Sequence, residues 1–137
     1  MDFINNVFAP IVVGTASFFV LNLILNPVMI FYRLRKRIHI DLIDFANIWA
    51  VKSEYDQERA YKASVGIRRL SAELRAIEYD IQIPCYFMAR LILYRFCKFN
   101  LNGGADSLMR YHNHMMEKAG RDAAEKEIRG ALGLPVV

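Results

Sequence analysis

The side chains that could do chemistry in this 137-residue chain are few and badly placed to cooperate. Arg110, His112 and His114 form one local polar cluster, with Glu117 five residues beyond His112. Imidazoles beside a carboxylate suggest zinc binding or a general base. Residues two apart on a helix, however, point about 200° apart, so His112 and His114 cannot hold one ion there. The HExxH spacing of helical zinc enzymes is also absent. Cys85 and Cys97 have no CxxC partner and are twelve residues apart, which suggests neither a disulfide framework nor a zinc site. There is no phosphate-binding glycine loop, nucleophile elbow or dinucleotide fingerprint. The expectation is a non-enzymatic protein with no catalytic residue, metal or cofactor.

Arg33 and His39 form a second pair, with five residues between them. This spacing resembles the R-x4-6-H element of HEPN-type ribonucleases, helical domains that dimerise to bring two such elements together. The resemblance covers seven residues, and Leu34 stands where the family commonly carries a polar residue after its arginine. It implies one alternative function, a membrane-tethered ribonuclease.

The membrane enters through the elements that carry these residues. From Phe3 to Tyr32 no residue has a formal charge, and Arg33, Arg35, Lys36 and Arg37 follow at once. A helix needs about 20 predominantly apolar residues to cross the hydrocarbon core. The run therefore predicts a spanning helix. The cleaved signal peptide it could be confused with has a basic head and a shorter apolar stretch, whereas Asp2 lies at this head and the basic residues lie beyond the run. A retained anchor fits better. Because basic residues concentrate on cytoplasmic flanks, the N-terminus is expected outside and the rest of the chain in the cytoplasm. The predicted organisation is an anchor over 1–32, a basic juxtamembrane cluster over 33–37 and a cytoplasmic helical domain over 38–137. Within the anchor, Asn22 and Asn26 share a helix face and are poorly solvated by lipid, and Gly14 and Ser17 permit close helix approach. Gly14, Ser17, Asn22 and Asn26 are thus the candidates for association between spans.

Charge narrows the partners. The chain is +4 overall, but Asp2 removes one charge and the four basic residues of 33–37 add four, leaving +1 for 38–137. The excess is a topology signal that could also attract anionic lipid heads. A nucleic-acid binder usually carries a basic patch on its folded domain, so nucleic acid is not favoured.

The remainder reads as all-α, a small helical bundle continuous with the span. Ile38, Leu42, Phe45 and Trp49 recur at helical spacing without a Pro or Gly before them. Ile67, Leu70, Leu74, Ile77 and Ile81 form an apolar seam on an amphipathic helix from about Asp56 to Gln82, suited to packing against another helix and redirected by Pro84. Between Cys85 and Phe99 there are five aromatic and three basic residues and no acid. This segment reads first as the central core helix. The alternative is a helix lying in the membrane interface through Arg90, Tyr94, Arg95 and Lys98. Asn100–Gly104 predicts a loop, with Asp106 or Ser107 capping the next helix, and Gly120 predicts a break before a last helix ending at Gly133 and Pro135.

The leading functional expectation is a single-pass membrane protein whose helical cytoplasmic domain self-associates or docks an unidentified protein partner. A homo-oligomer in the lipid bilayer is expected. The second expectation is that copies ring together into a pore or membrane-perturbing effector, with Ser17, Asn22 and Asn26 along the path.

Overall fold

The computed structural model describes residues 7–46 and 54–135, and all the regular structure among them is helical. The chain begins with one helical rod made of α1 (Ala9–Phe19), a π-helical turn (Val20–Leu25) and α2 (Asn26–Phe45). Pro10 lies in the first turn of α1, near the start of the described helix, where a proline is tolerated. Pro27 lies inside the rod and has a different effect. A proline ring clashes with the carbonyl four residues earlier, here Leu23, and the wider π turn around that residue accommodates it, with Asn26 N–H bonded back to Leu21. Ala9–Phe45 is the one helix among the described residues long and apolar enough to cross a membrane.

The other elements are α3 (Glu54–Asp80), a 3-10 turn (Pro84–Tyr86), α4 (Phe87–Arg90) running into a π turn (Leu91–Phe96), α5 (Leu101–Asn113) and α6 (Lys118–Leu132). Phe31, Leu34, Ile38 and Leu42, spaced 3, 4 and 4, present one buried stripe of α2 to a common core. The seam residues Ile67, Leu70, Leu74 and Ile81 are buried in that core, with Ile77 packed against it. Trp49, which continues the α2 pattern in sequence, lies outside the described residues.

The central buried helix is α5. Leu101, Gly104, Ala105, Ser107, Leu108 and Tyr111 are all buried, and α5 packs against both α3 and α6. The Cys85–Phe99 segment does not have that role. Ala89 and Leu93 are its fully buried apolar residues, while Phe87 and Phe96 are 61% and 73% exposed. The difference is one of side-chain size, because small residues on α5 let two helices approach it at once. A Cβ on Gly104 would stand 2.8 Å from Leu132 Cδ2 and 3.2 Å from Leu74 Cδ2.

The same packing corrects the expected loop. Asn102, Gly103 and Gly104 form the first turn of α5, and Asn100, rather than Asp106 or Ser107, is the N-cap, accepting from Gly103 N–H at 2.9 Å. Gly120 likewise sits within α6 instead of breaking the chain, since its bare Cα makes room for the His114 ring. The helix break falls at His114–Met116. The end of α6 follows expectation. Gly133 takes φ +59° and Leu134 N–H returns to Arg129 O at 2.8 Å. Lys98 closes the Leu91–Phe96 turn the same way at φ +55°, a left-handed conformation that favours glycine.

Candidate membrane-interface site

The first helical rod meets two environments. From Val7 through Asn22 every residue is exposed, including Phe8, Ile11, Val12, Val13, Phe18 and Phe19. Burial begins at Leu23 and Ile24, which are half-buried, and is complete at Phe31. The charge-free run in the sequence is therefore divided. Within its last third Phe31 is buried and Leu23, Ile24, Pro27 and Val28 are half-buried, while Leu25, Met29 and Ile30 stay exposed, so the largely exposed stretch is Val7–Leu25, roughly 28 Å of mostly apolar helix.

Packing against the inner end of this exposed stretch is the turn between α3 and α4. Pro84–Tyr86 and α4 lie against the Val20–Leu25 turn, and the chain then runs back until Phe99 stacks on Phe31 at 5.1 Å between ring centroids. Ile83, Phe87 and Met88 are exposed on this turn. Tyr94 is half-buried, and its burial raises the phenol's pKa, while Arg90, Arg95 and Lys98 are exposed. An exposed apolar tip with exposed basic residues behind it matches the composition of an interfacial helix.

The basic cluster, adjacent in sequence, is divided in space. Arg35 turns inward, donating from Nε to Leu132 O at 2.7 Å and from Nη2 to Gly133 O, so that it caps the C-terminus of α6 while its guanidinium lies over the rings of Tyr32 and Phe99. Arg37 pairs with Glu73 of α3, which also accepts from Arg69 Nε at 3.0 Å. Arg33 faces a cavity of about 390 Å³ between α2 and α3. Lys36 is exposed. The roles of Arg35 and Arg37 depend on contacts 97 and 36 residues away, which no local pattern reveals.

In the exposed part of the first helix, Asn22 donates to its own backbone, Nδ2 to Phe18 O at 2.9 Å, so one of its polar groups has a partner without any second chain. Asn26 is exposed and Gly14 faces open space. Ser17 lines a shallow groove with Val13, Ala16, Val20 and Leu21. Ser17 and Ala16 are the small residues on that surface.

The remaining candidates lie in separate places. His112 Nδ1 lies 2.9 Å from Ser64 Oγ beside a cavity of about 270 Å³, which has the outline of a nucleophile and its base. It also lies 3.1 Å from Ser64 O, so the same nitrogen meets a hydroxyl and a carbonyl, and the imidazole's tautomer sets which of them it bonds. His114 pairs locally with Glu117 at 2.7 Å. Arg33 and His39 diverge, the first lining the α2–α3 cavity and the second accepting from Arg129 of α6 at 3.3 Å. Among the described residues, no three His, Cys, Asp or Glu side chains gather as metal ligands.

No protein-family model, curated protein or solved structure matches this chain.

Tyr111 and Arg121 add a buried polar pair that sequence reading did not single out. The Tyr111 hydroxyl and Arg121 Nε and Nη1 are buried without hydrogen-bond partners among the described residues. Burial pushes the Tyr111 phenol up to about 12, with nearby Arg121 pulling the other way. Both residues lie on the α5 and α6 faces that hold the domain together, so the pair belongs to its stability rather than to its surface.

Proposed function

We propose that this chain is a non-enzymatic, single-pass membrane protein whose helical domain rests on the cytoplasmic surface of the bilayer and whose copies associate through their spans. The observation that carries the reading is the division of one helix into a largely exposed, mostly apolar stretch, Val7–Leu25, and a following stripe buried in protein. That exposed length matches the roughly 30 Å hydrocarbon core. The domain would then begin at the membrane surface itself, with Ile83, Phe87 and Met88 at the headgroup level. The excess of Arg and Lys just past the span supports a cytoplasmic location for the domain.

Where association occurs follows from what is already covered. Ile67, Leu70, Leu74 and Ile81 are buried against this chain's own helices, so that seam offers nothing to a second copy. The groove over Val13, Ala16, Ser17 and Val20 remains open, and small residues there allow the close backbone approach that favours association in lipid. A conducting ring draws less support, because the Asn22 amide is partly satisfied by its own backbone.

The test uses full-length protein in membranes and in mild detergent. Alkaline carbonate should leave it in the pellet. A protease added to inside-out vesicles, with the cytoplasmic face outward, should digest the domain, while right-side-out vesicles protect it. In detergent, the mass should exceed a monomer's, and Ala16→Leu with Ser17→Leu should shift it toward one. A monomer at every concentration would refute the association, and release by carbonate would refute the span.

A further inference from the structure

The cavity between α2 and α3 combines an apolar wall with an unpaired arginine just past the exposed stretch of the first helix. Ile30 and Leu34 from α2 and Ala76 and Ile77 from α3 form the wall. Arg33 and Arg37 supply the charge. Arg33 makes no ion pair or hydrogen bond with any described residue. Arg37 is paired with Glu73, which also lines the cavity and accepts from Arg69 outside it, so the lining carries two guanidinium groups and one carboxylate and a local charge of +1 that resides on Arg33. At about 390 Å³ the cavity has room for a phosphate headgroup and the start of an acyl chain.

Its depth selects the ligand. If the hydrocarbon ends near Leu25, Ile30 lies about 7 Å and Arg33 about 12 Å further along the axis at ~1.5 Å per residue. A bilayer's polar zone is about 5–8 Å thick on each side. Arg33 thus starts about 4–7 Å beyond that zone, a gap that an extended arginine side chain, about 6–7 Å long, spans by reaching back to the phosphates. Arginine forks also match phosphate oxygens in bidentate geometry.

We propose that this cavity is a binding site for the phosphate headgroup of an anionic phospholipid. Arg33 is the phosphate ligand, Arg37 stays paired with Glu73 at the far end of the cavity, and Ile30 and Ile77 pack on the glycerol end of the lipid. The site rests on the membrane reading given above. A bound lipid here bridges the span and α3, and so ties the domain's orientation to the charge of the membrane.

Native mass spectrometry of the full-length protein in detergent, titrated with phosphatidylglycerol, phosphatidylcholine or inorganic phosphate, reads the site directly. Wild type should retain one phosphatidylglycerol at least tenfold more tightly than phosphatidylcholine. Arg33→Ala should abolish that preference and Arg33→Lys should keep part of it. Ala76→Trp, which fills the cavity without touching a charge, should also reduce retention about tenfold, and Arg90→Ala with Arg95→Ala should not. Melting curves establish that each variant is folded. Equal retention by wild type and Arg33→Ala overturns the proposal, as does displacement of the lipid by millimolar inorganic phosphate, which would mark a site for free anions. Carbonate extraction of the same samples separates the two readings: protein that stays in membranes but shows no lipid preference refutes this site alone.

Discussion

If the exposed part of the first helix is the membrane span, its hydrocarbon boundary is near Leu25, about seven residues short of where the charge-free run ends. The difference can be measured with arginine substitutions. Ala16 is the midpoint of the Val7–Leu25 stretch, and an arginine there would sit at the bilayer centre, at a cost of about 2.5–3.5 kcal/mol for insertion. Met29 is thirteen residues farther on, about 20 Å from that midpoint, which is outside the ~15 Å half-thickness of the hydrocarbon. Met29 is also exposed, so an arginine there displaces no packed side chain. Met29→Arg should therefore insert as well as wild type, whereas Ala16→Arg should shift the insertion equilibrium by about 100-fold. Insertion of the span into microsomes, scored by glycosylation of an engineered acceptor site placed before residue 1, gives the ratio for each variant. A charge-free run that lay wholly in lipid would centre near Ser17 or Phe18 and reach Tyr32, and arginine at Met29 would then carry a penalty of its own. Equal losses for Ala16→Arg and Met29→Arg would falsify the placement of the domain at the headgroups.

Two further predictions concern the domain. Tyr111→Phe removes a buried hydroxyl with no partner among the described residues and should raise stability by about 1 kcal/mol. It should also change the alkaline limb: in wild type the unfolded phenol ionises near 10 and the folded one near 12, so stability is full below about pH 10 and falls by at most ~1.4 kcal/mol per unit up to 12. That part of the loss should disappear in the variant, and a destabilised Tyr111→Phe in detergent melts would show that the hydroxyl is bonded. The second pairs two glycines in helices. Gly104→Ala forces a methyl against Leu132 and Leu74, both fully buried, and should cost about 1 kcal/mol net, whereas Gly130→Ala meets nothing within 4 Å and should gain about as much from helix propensity. Melting temperatures that move in the same direction for both would contradict the packing described for α5.

The element types were legible in the sequence wherever a local rule settles them. The 3-and-4 spacing of Ile67, Leu70, Leu74, Ile77 and Ile81 requires a helix whatever it packs against, and Gly133 before Pro135 marks its helix end by backbone preference alone. Length and lack of charge in Phe3–Tyr32 similarly suffice for a helix able to cross a membrane. Asn102-Gly103-Gly104 misled because two glycines serve equally well for a turn or for close packing, and only the positions of Leu132 and Leu74 distinguish the two.

The candidate site was less legible because its parts come from distant stretches. Arg33, Arg35 and Arg37 are alternating positions in one basic run, and sequence alone treats them as equivalent flank charges. Arg33 and Arg37, four residues apart, share the face that lines the α2–α3 cavity, where Arg37 meets Glu73, whereas Arg35, about 200° from each, goes to the end of α6. Hydropathy likewise gives the apolar length of the first helix but not what covers it. Lipid and a protein core are both apolar solvents, and residue type cannot tell them apart. The sequence determined that the chain is helical and begins with a helix long enough to cross a bilayer. Only the tertiary structure decided which of those apolar residues face outward and which are buried by α3 and the α4 turn.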